Sequence, residues 1–269
     1  MKKFLILFLI MVVTAGFAAA EEDGIGLSLT VEGGAIDVNV KDDVCPYVYA
    51  GLDYGTSFLD GALDFGAGIG FEVDFPSGSL PMILYLDFML GYNLGIGSSS
   101  TLSFILTDEN ELVFDDGVDF SGTLTPGIKY GLGLNRGGNI YFQGNFPIAY
   151  TDILAGFDFI FGWESTFGLG LEASAHTIFY NWAEFSGIGF SASYGISIVT
   201  IDLGVTIPFK MTNPYSFFDD TNGNGIAIMP GVTFSVLSWL DLYANCAFTR
   251  IGGGDGVGIN FAVGAVFSF

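Results

Sequence analysis

The side chains with the greatest chemical potential in this sequence are carboxylates that alternate with apolar residues. In the stretch from 59 to 75, Asp60, Asp64, Glu72 and Asp74 hold even positions, whereas the odd positions from 63 onward hold Leu, Phe, Ala, Ile and Val. A β-strand places successive side chains on opposite faces, so this segment has an acidic, glycine-rich face and an apolar face. Carboxylates that line a confined space favour cations.

The same alternation, followed through the chain, places seven titratable side chains on the polar face near the middle of their strands. They are Asp64, Glu72, Asp87, Lys129, Asp158, Glu172 and His176. Five of the seven are acidic, so a wall built from them is predicted to favour cations. An equally weighted alternative is that they are solvated wall residues whose number sets only the overall charge.

The main candidate for a catalytic group is His176, the single histidine of the chain. Ser174 and Glu172 share its face of the strand, and serine, histidine and a carboxylate are the groups of a hydrolytic triad. Residues two apart on one strand are separated by about 6.5–7 Å. The spacing therefore predicts no direct hydrogen bond between Ser174 and His176, and we predict that the chain is not an enzyme.

One segment resembles half of a calcium loop. Asp220, Asn222 and Asn224 supply oxygen ligands at loop positions 1, 3 and 5, and Gly225 follows at position 6. Position 12 is Gly231 instead of the bidentate glutamate, and Asn and Gly are also ordinary turn formers. A weak calcium site in an external loop stays open as an alternative, and no other cofactor is predicted.

The elements that position these residues follow an export signal. Lys2 and Lys3 precede an apolar run over 4–13, and Ala18–Ala20 supplies a small-residue cleavage pattern. The run is shorter than the roughly 20 residues that a spanning helix needs. We expect residues 1–20 to be cleaved and residues 21–269 to form a single domain.

The composition indicates how that domain is built. Hydrophobic residues make up 51% of the chain and charged residues only 13%, against about 25% charged in an ordinary soluble domain. No stretch after Val13 contains 18 consecutive apolar residues, as a membrane helix would. Only helices and closed barrels satisfy their backbone groups in lipid. The predicted fold class is all-β, a closed antiparallel transmembrane β-barrel.

The alternation divides the domain into about fourteen strands, or twelve if 139–162 pairs differently. They lie near 24–32, 46–54, 59–75, 80–96, 98–107, 118–134, 139–149, 152–162, 166–180, 185–197, 200–210, 226–237, 240–249 and 256–269. Fourteen strands about 4.8 Å apart and tilted about 40° give a backbone diameter of roughly 27 Å, which leaves a lumen of roughly 12–15 Å.

Short and long connections alternate along this series, as they do in barrels with short periplasmic turns and longer external loops. The predicted short turns lie near 55–57, 97, 135–138, 163–165, 199 and 238–239. The three longest predicted external loops are 33–44, 107–117 and 211–225. Both termini are then periplasmic, and Trp163, Trp182 and Trp239 fall at connections, where interfacial aromatic residues are expected.

The charge restricts the partners. Without Lys2 and Lys3 the chain carries 5 basic and 29 acidic residues, a net charge of about −24. Repulsion excludes nucleic acid as a partner. The expected surroundings are outer-membrane lipid and lipopolysaccharide, with divalent cations bridging the acidic external loops.

The last strand, from Val257 to Phe269, alternates to its final residue and ends in Phe. It resembles the C-terminal signal of bacterial outer-membrane β-barrels, and the strand number resembles small monomeric fourteen-stranded porins. The resemblance implies that the barrel-insertion machinery recognises Phe269. It also implies a monomeric outer-membrane channel for passive diffusion of small cationic or neutral solutes. The alternative is a non-conducting barrel that acts as an adhesin or a structural protein.

Overall fold

The computed structural model of the chain consists of β-strands joined by turns and loops. It describes residues 25–36, 44–75, 81–115, 117–134, 137–150, 155–179, 183–208, 225–252 and 257–269. The strands are β1 (Ile25–Ile36), β2 (Cys45–Phe58), β3 (Leu63–Asp74), β4 (Met82–Ile96), β5 (Ser100–Phe114), β6 (Val118–Leu134), β7 (Gly138–Asn145), β8 (Ile148–Ala149), β9 (Ala155–Glu164), β10 (Leu169–Phe179), β11 (Ala183–Ile196), β12 (Val199–Pro208), β13 (Ile226–Leu237), β14 (Leu240–Ile251) and β15 (Gly258–Ser268). The predicted signal over 1–20 lies outside the described residues.

The strands form one closed antiparallel barrel. Each pairs with its neighbours in sequence, except that β7 and β8 both pair with β6 and β9, and β1 pairs with β15 to close the ring. The short β8 continues the line of β7 after an interruption at Phe146 and Pro147, because proline has no N–H to give to the ladder. The backbone N–H of Phe146 donates to the Pro126 carbonyl at 2.9 Å across this gap. Because β7 and β8 together occupy one position in the barrel, the barrel has fourteen strand positions. This confirms the prediction of fourteen strands and excludes twelve.

The two faces of the wall differ in chemistry. Phe159, Phe161 and Val263 belong to a large set of apolar side chains exposed on the outer face. Cross-strand partners share a face, so Phe161 lies in line with Phe142 on β7, and their rings are 5.1 Å apart. Lipid is the solvent that such a band fits. Within the described residues, no helix is long and apolar enough to cross a membrane.

The connection between β2 and β3 differs from the prediction. Strand β2 continues to Phe58, and β3 begins at Leu63 instead of 59, so the turn lies after 55–57. Leu59, Asp60 and Gly61 have φ angles of 54°, 55° and 81°, which belong to the left-handed region and end a strand. The alternation in the sequence continues through this turn although the strand does not, and Leu59 is 73% exposed.

Strand β5 is longer than predicted. It reaches Phe114, so the predicted loop over 107–117 shortens to residues 115–117 between β5 and β6. Within this extension Glu109 lies in register with Asp87, whereas Asp108 lies in register with outward-facing Phe88. Polar side chains on both faces look like a loop in the sequence. In the structure, outward-facing Asp108 accepts a hydrogen bond from the Tyr150 hydroxyl, and Asn110 Nδ2 donates to the Leu86 carbonyl at 3.2 Å.

Candidate functional site: the lumenal wall

The polar side chains of the inner face form contacts across strands. Glu32 on β1 accepts hydrogen bonds from Tyr47 on β2 at 2.6 Å and from Tyr243 on β14 at 2.5 Å. Gly264 stands beside the Tyr243 ring, and a Cβ there would overlap it. Glu32 was not among the predicted site residues. The only feature of the sequence that could have identified it is its position in the predicted strand 24–32.

The acidic centre of one wall is a cross-strand row of Asp53, Gly68, Asp87 and Glu109 on β2 to β5. A Cβ on Gly68 would lie 2.7 Å from Asp53 Oδ1 and 3.6 Å from Asp87 Oδ2, so both carboxylates border the same gap. Like charges opposite each other destabilise a sheet. A cation in the adjacent water would relieve that repulsion. Of these acids, only Asp87 was among the predicted pore-lining residues.

Asp64 and Glu72 lie at opposite ends of β3, not near its middle as expected. Asp64 is the second residue of the strand and accepts hydrogen bonds from Ser57 and Asn93, each at 2.6 Å. Glu72 lies close to the opposite end and is in register with Tyr49. Strand β3 has 12 residues and is shorter than the predicted 59–75, so both carboxylates lie within three residues of its ends.

Lys129 and Glu172 belong to a second cluster, on β6 to β10. The Lys129 Nζ lies 4.0 Å from the centroid of the Tyr141 ring, a cation–π contact. The ring of Tyr141 lies over Gly162 on β9, and its hydroxyl donates a hydrogen bond to Glu172 at 2.6 Å. Two open cavities of about 810 and 430 Å³ adjoin here and share Tyr141, Glu164 and Ser165 in their walls.

The third cluster contains Asp158 and His176, which are paired across β9 and β10. Asp158 Oδ1 lies 2.8 Å from His176 Nδ1, and Ser174 Oγ lies 2.9 Å from Nε2. The predicted separation of Ser174 and His176 was therefore wrong. The Cα spacing on a strand does not limit side chains that lean along the strand direction.

The lumenal acids have little basic compensation. Among the described residues, Lys129 and Arg250 are the only Lys or Arg side chains. Arg250 is the second-to-last residue of β14. His176, beside Asp158 at 2.8 Å, adds a positive charge only when its imidazole is protonated. Acidic side chains therefore outnumber basic ones in the part of the chain that the structure describes.

The remaining predicted sites are at the ends of the wall. Trp163 is in β9 and not in a turn; its Nε1 donates to the Gly137 carbonyl at 2.9 Å. Trp239 stands in the β13–β14 turn, stacked on Phe267 at 6.3 Å. The backbone of Phe269 donates to Leu27 at 2.8 Å, beside the closing seam. The other predicted positions, Trp182, Asp220, Asn222 and Asn224, lie outside the described residues.

Comparisons with known proteins identify the fold. No protein-family model matches the chain, and no curated protein matches it. The structure of CdiB from Acinetobacter baumannii is 8% identical with a TM-score of 0.50, and the match covers 92% of this chain and 60% of that one. The chain thus spans about 60% of the length of CdiB.

A mutant of the Rh. blastica porin is 9% identical with a TM-score of 0.46, and the match covers 91% of this chain and 100% of that one. Identities this low carry the fold and no activity. The fold is a closed antiparallel β-barrel.

Proposed function

We propose that the chain is an outer-membrane channel through which small cationic or neutral solutes diffuse passively. The observation that carries the proposal is the row of Asp53, Asp87 and Glu109, which repeats negative charge around the inner wall. Rings of carboxylates favour cations in pores. Solutes within the expected lumen width of roughly 12–15 Å would pass.

Glycine residues support an open passage. Gly66, Gly68 and Gly70 hold successive lumenal positions of β3, and each spares the lumen the volume of a side chain. Gly70 also accommodates the ring of Tyr49, because a Cβ there would lie 2.6 Å from Tyr49 Cε2. The larger lumenal side chains can therefore lie along the wall instead of across the passage.

The decisive experiment is a reversal-potential measurement on the refolded chain in planar bilayers under a KCl gradient. We expect a potential of the sign that cation preference produces. Glu109→Gln removes one lumenal charge and should lower the cation-to-anion permeability ratio. Asp108→Asn is the matched control, because Asp108 is adjacent in sequence but faces outward and accepts a hydrogen bond from Tyr150.

Three outcomes separate the possibilities. A lower cation-to-anion permeability ratio in Glu109→Gln with no change in Asp108→Asn supports the proposal. An anion-selective wild-type channel, or equal shifts in both variants, would contradict it. A refolded barrel that does not conduct would favour the adhesive or structural alternative.

The proposed orientation places both termini in the periplasm and the barrel in the outer membrane as a monomer. It is supported by the short turns at Gly97–Ser99 and Ser238–Trp239, on the same rim as Phe269. Epitope tags in the Gly97–Ser99 turn and within the segment 209–224 test it. The tag in 209–224 should bind antibody on intact cells and the tag in the turn should not; the reverse would overturn the orientation.

A further inference from the structure

The contacts of His176 form a continuous chain of three groups. A carboxylate can only accept, so in the neutral imidazole the 2.8 Å contact with Asp158 places the proton on Nδ1. Nε2 then directs its lone pair toward Ser174, whose hydroxyl donates to it at 2.9 Å. This is the order of a serine nucleophile, a histidine base and an orienting carboxylate.

The Ser174 hydroxyl lies over a glycine of the neighbouring strand. Gly189 on β11 is in register with Ser174, and a Cβ there would lie 2.5 Å from Ser174 Oγ. The register of β10 and β11 shifts just after His176, so a β-bulge lies beside the cluster. Bulges of this kind redirect side chains and are frequent next to active sites.

The cluster is sheltered but accessible. The side chains of His176 and Asp158 are 19% and 21% exposed. Ser174 lies in the middle of β10, on the row next to Glu172 and the lumenal cavities. Partial burial strengthens the electrostatic contacts of the histidine.

We propose that Ser174, His176 and Asp158 form a hydrolytic site in the barrel wall that cleaves small carboxylic esters entering the lumen. The substrates are neutral or cationic, because the acidic wall repels anions. Activated esters are favoured over amides. Strand N–H groups around Ser174 are largely committed to the ladders of β9 and β11, so little donor capacity is left for an oxyanion.

The reaction requires only the ester and water. Ser174 Oγ bonds to the acyl carbon while its proton passes to His176 Nε2. The bond from the acyl carbon to the leaving oxygen breaks, and the alcohol departs with that proton. Water then loses a proton to Nε2 and attacks the acyl-serine. The carboxylic acid leaves, and the proton returns to Ser174 Oγ.

The test uses the refolded chain in detergent with p-nitrophenyl acetate as the ester and a fluorophosphonate as a covalent probe. We expect saturable hydrolysis and one phosphonyl adduct per chain, located on Ser174 by mass spectrometry. Ser174→Ala should remove the adduct and reduce hydrolysis to that of the unfolded chain. Ser191→Ala, a serine of β11 in register with Glu172 and not with His176, is the matched control and should keep both.

Asp158 acts as a positioning residue, and its role has a separate readout. Asp158→Asn should lower kcat at least tenfold with little change in KM, because the amide can donate to Nδ1 and turn the imidazole into the wrong tautomer. Retained heat-modifiable migration on gels shows that the variant barrel is folded. A folded wild-type chain without an adduct on Ser174, or a Ser174→Ala variant as active as wild type, would overturn the proposal. Neither assay depends on ion selectivity, so the result is independent of the channel proposal.

Discussion

Tyrosine rings and glycines are matched along the lumenal wall. Tyr141 lies over Gly162 and reaches Glu172, and Tyr243 lies over Gly264 and reaches Glu32. In each case the ring occupies the space that a Cβ would need. The glycine therefore determines whether the phenol can lie along the wall and donate to a carboxylate on a neighbouring strand.

The contact between Tyr141 and Gly162 predicts that a larger residue at position 162 lowers the free energy of unfolding. In Gly162→Ala the added methyl would overlap the Tyr141 ring, so the ring must leave and its hydrogen bond to Glu172 is lost. We expect the free energy of unfolding to fall by about 1–3 kcal/mol, the usual cost of overpacking, as measured by urea titration of tryptophan fluorescence. Gly95→Ala is the control, because a Cβ at Gly95 would meet no atom within 4 Å; equal destabilisation of both variants would contradict the pairing.

At this scale the sequence predicts which face a residue occupies but not its partner. The alternation placed Asp87, Asp158 and Glu172 on the polar face, and the register agrees. The contact between Glu32 and Tyr243 joins residues 211 positions apart, so it exists only after the barrel closes. The Ser174–His176 contact depends on side-chain rotamers, which Cα spacing does not fix.

Among the elements, the turns depend on glycine in two different ways. Gly61 and Gly138 have φ angles of 81° and 90°, in the left-handed region. A Cβ on Gly61 would meet no atom within 4 Å, whereas one on Gly138 would collide with the backbone of Glu164 and Ser165. The first turn needs glycine for conformation alone, and the second also needs it for the close approach of β7 and β9.

The two turns should therefore respond differently to alanine. Gly61→Ala should cost about 1 kcal/mol, the conformational penalty of the left-handed region. Gly138→Ala should cost more and slow barrel formation, because the start of β7 must move away from β9. Refolding yield into detergent, followed by gel migration, measures this. Equal yields for the two variants would show that the contact at Gly138 is unimportant.

The sequence predicted the existence and order of these elements better than their ends. The alternation of apolar and polar residues predicts fourteen strands, because lipid on one side and water on the other impose a period of two on the sequence. The turn at Leu59–Ala62 was missed because an apolar residue occupies an exposed turn position. The end of β5 was missed because Asp108 and Asn110 place polar side chains on the outward face, where the alternation predicts apolar residues.

For the whole molecule, the defining property is the contrast between the outer and inner faces. Val263, in the middle of β15, faces outward and is 56% exposed, whereas its neighbour Ala262 is in register with lumenal Asn245. Val263→Arg should destabilise the barrel in lipid by about 2–4 kcal/mol. Ala262→Arg should fold with nearly unchanged stability and lower cation selectivity. Folding titrations in liposomes compare the two, and greater destabilisation by Ala262→Arg would contradict the assignment of the faces.

Thiol chemistry at two adjacent positions of β5 tests the central claim, that the acids line an enclosed aqueous passage, most directly. Thr107 faces the lumen two residues from Glu109, and Leu106 faces outward. Thr107→Cys and Leu106→Cys are made in a Cys45→Ser, Cys246→Ser background and reconstituted in liposomes. We expect Thr107→Cys to react with water-soluble thiosulfonates, faster with a cationic than with an anionic reagent, while Leu106→Cys stays unreactive. Equal reactivity at the two positions, or faster reaction of Thr107→Cys with the anionic reagent, would contradict it.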